Sequence, residues 1–328
     1  MENDRLSRIL DSMVGRRVLV VGDVMLDEYV WGNVKRISPE APVMVVEVER
    51  DSSNPGGAAN VAKNIQALGG SSSIVGVVGD DAAGRALALH LSEIGVDVTG
   101  LVTDASRPTT RKTRIIAHSQ QVVRVDRESR RKLTRHAVKA IVSRLMDLAA
   151  HADIVVFSDY DKGMAGREVA QALLDIAREH GKRVVVNPKP RNVKQFKSAS
   201  VVSLNQAEVE AATGISIADD RCLHRAAKRL LNAVRPETLL VTRGPLGMSL
   251  YGPNGEVETV AAHMVEVYDV AGAGDTVVSV LALALAAGAT TSEAAILANC
   301  AGSAAVRKVG VATVSRDEIE AMMREGGK

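Results

Sequence analysis

Aromatic side chains are almost missing: two phenylalanines, four tyrosines and one tryptophan stand among 328 residues. Without them there is no stacking platform for single-stranded bases, and any nucleotide base has to lie against aliphatic walls. Cysteine is as scarce. Cys222 and Cys300 are the only two, too few for a disulfide framework and without metal-ligand spacing, which predicts a reduced, cytoplasmic protein and argues against thiol catalysis. No apolar run reaches about 18 residues, the length a membrane helix needs. The N-terminal segment is broken by Arg5, Arg8, Arg16 and Arg17 and lacks the continuous core of a signal peptide. Charge of one sign is not in excess either: 41 Lys+Arg oppose 39 Asp+Glu, a formal net of +2. With no basic block, neither nucleic acid nor a membrane is an expected partner. Two nucleotide signatures are also absent. No G-x-G-x-x-G follows the first strand and no G-x-x-x-x-G-K-[ST] occurs anywhere, which weakens dinucleotide and Walker-type readings.

What is present has the rhythm of an α/β protein. Arg17 to Asp23 reads as a buried parallel strand ending in Gly-Asp, Ile74 to Gly79 as a strand, and Ala82 to Ile94 as a helix. Further on, Ile154–Asp159, Arg183–Asn187, Val201–Asn205 and Leu239–Gly244 are short β-branched runs separated by helical stretches, the pattern of a doubly wound, mostly parallel sheet flanked by helices. Each run ends in polar residues: Asp159, Asn187 with Lys189, Asn205 with Glu208, and Thr242 with Gly244. Ligands of open α/β sheets bind at the carboxyl ends of strands, so this shared edge is the expected site. Taken singly, these residues stay ambiguous. Asn205 and Glu208 have the spacing of a capping box, Lys189 could be a solvated loop lysine, and Thr242–Gly247 could be a hairpin. Asp23 and Asp27 could cap turns or accept hydrogen bonds from sugar hydroxyls.

The stretch Tyr268–Thr276 is the most specific. Gly272 and Gly274 flank Ala273 directly before a long apolar run, so the backbone can turn sharply and aim several free N–H groups at one point. Such a helix start favours an anion. Asp275 would repel a resting phosphate, yet beside such a cradle it could accept the proton of an attacking hydroxyl. Its alternative is an ordinary first-turn Asp. Gly56, Gly57 and Asn60 open another helix, Val61–Gly69, where paired glycines permit close approach to a ligand.

Two inserted regions, about 29–50 and 109–126, alternate differently. They predict a small protruding β-sheet lid, basic on one face and apolar on the other, that must cover a ligand, pack on a second copy, or both.

In this order Gly56-Gly57-Ala58-Ala59-Asn60, Asn205-x-x-Glu208, Thr242-x-Gly244-x-x-Gly247 and Gly272-Ala273-Gly274-Asp275 make the chain resemble the ribokinase-like (PfkB) carbohydrate kinases over nearly its whole length. Arg36-Ile37-Ser38-Pro39-Glu40-Ala41-Pro42-Val43 and Ser158-Asp159-Tyr160-Asp161-Lys162-Gly163 resemble the branch acting on heptose 7-phosphates. The resemblance implies one ribokinase-like kinase domain over 1–328, in the kinase-only form, that phosphorylates the anomeric hydroxyl of D-glycero-D-manno-heptose 7-phosphate with ATP and Mg²⁺. It leaves a monovalent cation open and implies a homodimer through the lid strands. Asp275 matches the base, with Gly272, Ala273 and Gly274 as anion hole. Asp27, Gly56, Gly57 and Asn60 match the sugar side, and Asp23 at the same strand edge is a further substrate-binding candidate. Arg36, Lys112, Arg114, Arg124 and Lys162 are the cations implied for the sugar phosphate. Lys189, Asn205, Glu208, Thr242, Gly244, Gly247 and Ala271 fall on the nucleotide side, Glu208 holding the metal through water, and Asn299 and Ser303 near the adenine. Ala271 replaces a common Thr and Asn187 a common Asp, which weakens a phosphate contact and the magnesium shell. A kinase for another sugar phosphate or a nucleoside, and a silent sugar or nucleotide sensor, remain alternatives.

Overall fold

The computed structural model describes residues 2–118 and 120–325. Ser119, in the polar turn between the two basic lid strands, lies outside the described residues. Among the described residues thirteen strands are formed: β1 Arg17–Gly22, β2 Val24–Ile37, β3 Met44–Gly57, β4 Ser71–Val78, β5 Asp97–Thr103, β6 Arg111–Ala117, β7 Gln120–Arg127, β8 Ile154–Ser158, β9 Arg183–Asn187, β10 Val201–Asn205, β11 Thr238–Thr242, β12 Met248–Tyr251 and β13 Val257–Val260. Nine make one sheet in the order β13-β12-β11-β10-β9-β8-β1-β4-β5. From β11 to β5 every pairing is parallel; β12 and β13 close one edge as an antiparallel ribbon. This is the doubly wound, mostly parallel α/β architecture that the βα rhythm predicts.

Strand β1 explains why the sheet is central. Val18 and Val20 pack into one apolar cluster while Leu19 and Val21 pack into the other, so both faces are covered and the sequence reads as an unbroken apolar run. Each fully buried Val or Leu contributes roughly 1.5–3 kcal/mol of transfer free energy. The helix Ala273–Ala286 is buried continuously from Asp275 to Leu285, which requires cover on all sides; helices Ala58–Ala67 and Thr291–Ala305 pack against it. No helix among the described residues is long and apolar enough to cross a membrane.

Chain order reverses between β1 and β8: β4 and β5 extend one way, β8 to β11 the other. Crevices form at such reversals, and the backbone of Asp23 donates across this one to Ser158 O at 3.1 Å.

The second sheet has the order β3-β2-β6-β7 and carries the expected lid, though longer than the sequence suggests. β3 runs through Gly57, so Asn54–Gly57 is strand rather than helix entry, paired with Val24–Asp27 of β2. Pro55 is tolerated there because β3 lies at the sheet edge, where its missing N–H breaks no ladder. The following helix accordingly starts at Ala58.

Candidate active site

The helix Ala273–Ala286 begins on Gly272, whose φ of 79° lies in the left-handed region. A Cβ there would sit 3.0 Å from Val311 Cγ1, so glycine is required on two counts. The Ala273 N–H turns back to Val270 O and that of Thr276 to Gly272 O. The N–H groups of Gly272, Gly274 and Asp275 take no acceptor among the described residues. They form the positive end of a 14-residue helix.

Asp275 stands in that first turn and is buried. Its Oδ2 accepts Asn60 Nδ2 at 2.8 Å, and its Oδ1 accepts the Tyr160 hydroxyl. Asn60 is itself fixed, since Asn64 Nδ2 donates to Asn60 O at 2.8 Å and Thr276 Oγ1 donates to Asn64 Oδ1 at 3.2 Å. Burial pushes the Asp275 carboxyl up to about 6, partly offset by the Asn60 and Tyr160 hydrogen bonds; the Asp27 charge pushes the same way as burial, and Lys189 opposes it.

Facing this turn are the strand ends. Asn187, Lys189, Ser203, Asn205, Glu208 and Thr242 line one cavity with Tyr160, Gly272, Gly274 and Asp275. Lys189 Nζ and Glu208 Oε1 meet at 2.7 Å. Asn205 and Glu208 do make a capping box, with Asn205 Oδ1 accepting Glu208 N at 2.8 Å and Glu208 Oε2 accepting Asn205 N at 3.0 Å. The box and the site are the same object: capping fixes the carboxylate that Lys189 meets. No group of three or more His, Cys, Asp or Glu among the described residues is placed to hold a metal. One carboxylate beside amide oxygens suits a hydrated divalent ion that arrives with phosphates, rather than a resident one.

Residues 16–318 match the family model described as pfkB family carbohydrate kinase. The chain belongs to that family. The protein called "Bifunctional protein HldE" in Desulfatibacillum aliphaticivorans is 46% identical over 309 residues, 94% of this chain and 63% of that protein. Its counterpart in Geobacter sulfurreducens is 44% identical over 97% of this chain and 65% of its own length. The chain thus spans about two thirds of the length of the curated relatives it matches. Among solved structures, Escherichia coli phosphofructokinase-2 in complex with potassium superposes with a TM-score of 0.79 at 22% identity, covering 96% of this chain and 100% of that one. Arabidopsis thaliana ribokinase complexed with ribose and ATP gives 0.72 at 19%, covering 95% and 99%. These two share the fold.

Against the PfkB pattern, the expected sugar-side residues divide. Asp27, buried on β2, accepts Arg114 Nη1 at 2.5 Å, and Gly56 leaves room for it. Asp23 differs from the expectation. Its Oδ2 accepts the N–H of Tyr160 at 2.8 Å and of Lys162 at 3.0 Å, and its Oδ1 that of Met164 at 3.1 Å, so it anchors the loop after β8. Gly57, with φ of 60°, lets the chain turn from β3 into the helix.

The lid cations are not a free cluster. Lys112 pairs with Asp126 at 3.6 Å, Arg124 with Asp126 at 2.8 Å and Lys162 with Glu128 at 2.6 Å. Arg36 sits exposed near the outer end of β2. On the nucleotide side, Thr242 lines the cavity while Gly244 and Gly247 shape the turn into β12; a Cβ on Gly247 would fall 2.0 Å from Val260 O. Asn299 donates to Ala261 O at 2.7 Å, bracing the loop beyond β13. Ser303 is half-buried on the same helix. Ala271 is exposed and its N–H donates to Asp269 Oδ1 at 2.9 Å. Asn187 donates to Ser203 O at 2.9 Å, so it presents an amide where a carboxylate is common.

Tyr160 and Ser203 line the cavity without having been singled out from sequence. The motif holding Tyr160 was visible, but nothing in it says that the phenol reaches a residue 115 positions away.

Proposed function

We propose that the chain transfers the γ-phosphoryl group of ATP to the anomeric hydroxyl of D-glycero-D-manno-heptose 7-phosphate, yielding the 1,7-bisphosphate. The observation that carries this reading is the buried Asp275 carboxylate, set in a helix turn whose Gly272, Gly274 and Asp275 N–H groups are free, opposite Lys189 and Glu208. Asp275 takes the proton of the acceptor alcohol as it attacks in line. The free N–H groups receive the charge that develops on the transferring group, where one such donor is worth roughly 2.7–4 kcal/mol. Lys189 neutralises phosphate oxygens, and Asp27 with Asn60 orients the sugar. Glu208 would hold, through water, the Mg²⁺ brought with ATP, which would supply further charge neutralisation; a monovalent cation would act likewise.

The heptose assignment rests on the named relatives and on the Arg36–Val43 and Ser158–Gly163 runs. Their extra length leaves any second activity outside what is assigned to these residues. A cytoplasmic location accords with this chemistry, since ATP is the donor. A homodimer through the second sheet is part of the proposal: Val43, Met44, Val48, Val123 and Val125 are each 45% exposed or more, and such a patch favours a second copy. Sedimentation of the wild type and of Val125→Asp tests it, with a wild-type monomer at micromolar concentration overturning it.

The deciding experiment is ADP release measured with heptose 7-phosphate, fructose 6-phosphate, mannose and ribose as acceptors. A strong preference for the heptose is expected. Comparable turnover of another sugar would replace the substrate, and binding without ADP release from any acceptor would replace the activity.

A further inference from the structure

The loop after β8 carries the one polar group on the base that no sequence motif explains. Tyr160 is half-buried, and its hydroxyl donates to Asp275 Oδ1 while Asn60 covers Oδ2. We propose that Tyr160 is a positioning residue for phosphoryl transfer, its hydroxyl holding the Asp275 carboxylate ionised and turned toward the acceptor alcohol. This rests on Asp275 being the base.

The phenol is aimed by two carboxylates outside the reaction. Asp23, at the end of β1, accepts the backbone N–H of Tyr160. Asp159, fully buried, accepts the N–H of Asp161 at 2.8 Å, the N–H of Lys189 at 2.8 Å and Asn192 Nδ2 at 2.9 Å. Asp159 thereby fixes the residue that touches the base and the residue that faces phosphate in one register. Lys189 Nζ lies 5.4 Å from the Tyr160 ring centroid, a second tie between the two sides.

A tyrosine suits this place because it donates without carrying charge. Burial first, and then the Asp275 charge, push the Tyr160 phenol well above its ordinary range, so it keeps its proton. A lysine in hydrogen-bond contact would depress the base further and blunt its proton affinity. A carboxylate offers about four lone-pair positions, so two neutral donors leave room for the incoming hydroxyl. The charged groups around Asp275 are Asp27 from β2 and Lys189 from the loop after β9, and the neutral ones Asn60 and Tyr160.

A phenol turned into a cavity wall takes some partner in any fold, so the test must read the base and not merely stability. In Tyr160→Phe, kcat should fall roughly tenfold, the size of one hydrogen bond to a charged group, and the acidic limb of the kcat–pH profile should move to higher pH. KM for ATP should stay within about twofold, as for residues away from phosphate. Asp275→Asn/Tyr160→Phe should be no slower than Asp275→Asn alone. If Tyr160→Phe folds poorly, site-specific 2,3-difluorotyrosine at 160 keeps the shape and strengthens the donor, and the limb should move to lower pH. An unmoved limb in the folded variants, or fully additive losses in the double variant, overturns the role of Tyr160. Near-normal turnover by Asp275→Asn overturns the base assignment instead.

Discussion

Asn60 Nδ2 donates to Asp275 Oδ2 at 2.8 Å across 215 positions of sequence. The bond joins the starts of two helices that pack on each other, and so fixes the base to the sugar side of the cavity. An amide at 275 keeps the size of the side chain and loses its proton affinity. Asp275→Asn should therefore bind ATP with ordinary affinity by calorimetry while kcat falls about 10²–10⁴-fold, the usual contribution of a positioned base. Near-wild-type turnover would remove Asp275 from the mechanism.

The same carboxylate sets a pH dependence. Burial holds it up to about 6, and a base acts only when ionised, so kcat should rise as pH passes through about 6 and level off above. Stability runs the opposite way. The folded-state value lies above the ordinary 3.8, so folding favours the protonated form and that advantage is lost as pH climbs through about 6. Linkage puts the cost of the ionised form at about 3 kcal/mol at most. Thermal melts should then place Asp275→Asn above wild type at pH 8, with the gap narrowing at pH 5. A variant that melts lower at both pH values, by the same amount, would contradict this sign.

Lys189 and Glu208, from the ends of neighbouring parallel strands, meet at 2.7 Å beside the free helix turn. Lys189 is a third exposed there, so its value lies less in the pair than in meeting phosphate. Lys189→Met should raise KM for ATP about 10- to 100-fold, the range for a lost charge-assisted hydrogen bond, and change KM for the sugar much less. Equal changes in both would show that the lysine shapes the whole cavity.

What could be read from the sequence, and what could not, follows from the range of the forces involved. The β-branched runs with polar ends gave the sheet and its ligand-binding edge, because burial on both faces leaves a continuous apolar signature. Gly272–Asp275 was legible because chain geometry and helix dipole act within one turn. The end of β3 was not: Pro55 and paired glycines look like a loop until β2 lies alongside as its ladder partner. The partners of Asp23 were not legible because the three N–H groups that engage it come from residues 160–164. The lid cations looked free because Asp126 and Glu128 become their partners only through strand register and loop closure. Tyr160 was hidden for the same reason.

Gly56 offers a test of the sugar side that leaves every charge in place. A Cβ on it would sit 2.1 Å from Asp27 Oδ2 and 2.9 Å from Asp27 Cγ, with Met25 Cγ at 3.0 Å. Asp27 must then swing away, and its bond to Arg114 breaks, since β2 and β3 are locked by their ladder. Gly56→Ala should cost about 1–3 kcal/mol of stability, as overpacking does, and raise KM for the sugar at least about tenfold, the loss of one charge-assisted hydrogen bond. KM for ATP should hold. Gly166→Ala is the kinetic control: it has φ of −64° and its nearest neighbour, Gly163 O, lies at 3.7 Å, so neither KM should move, and any loss of stability is confined to the N-cap preference for glycine over alanine. If Gly56→Ala leaves the sugar KM unchanged in a folded protein, Asp27 does not hold the acceptor.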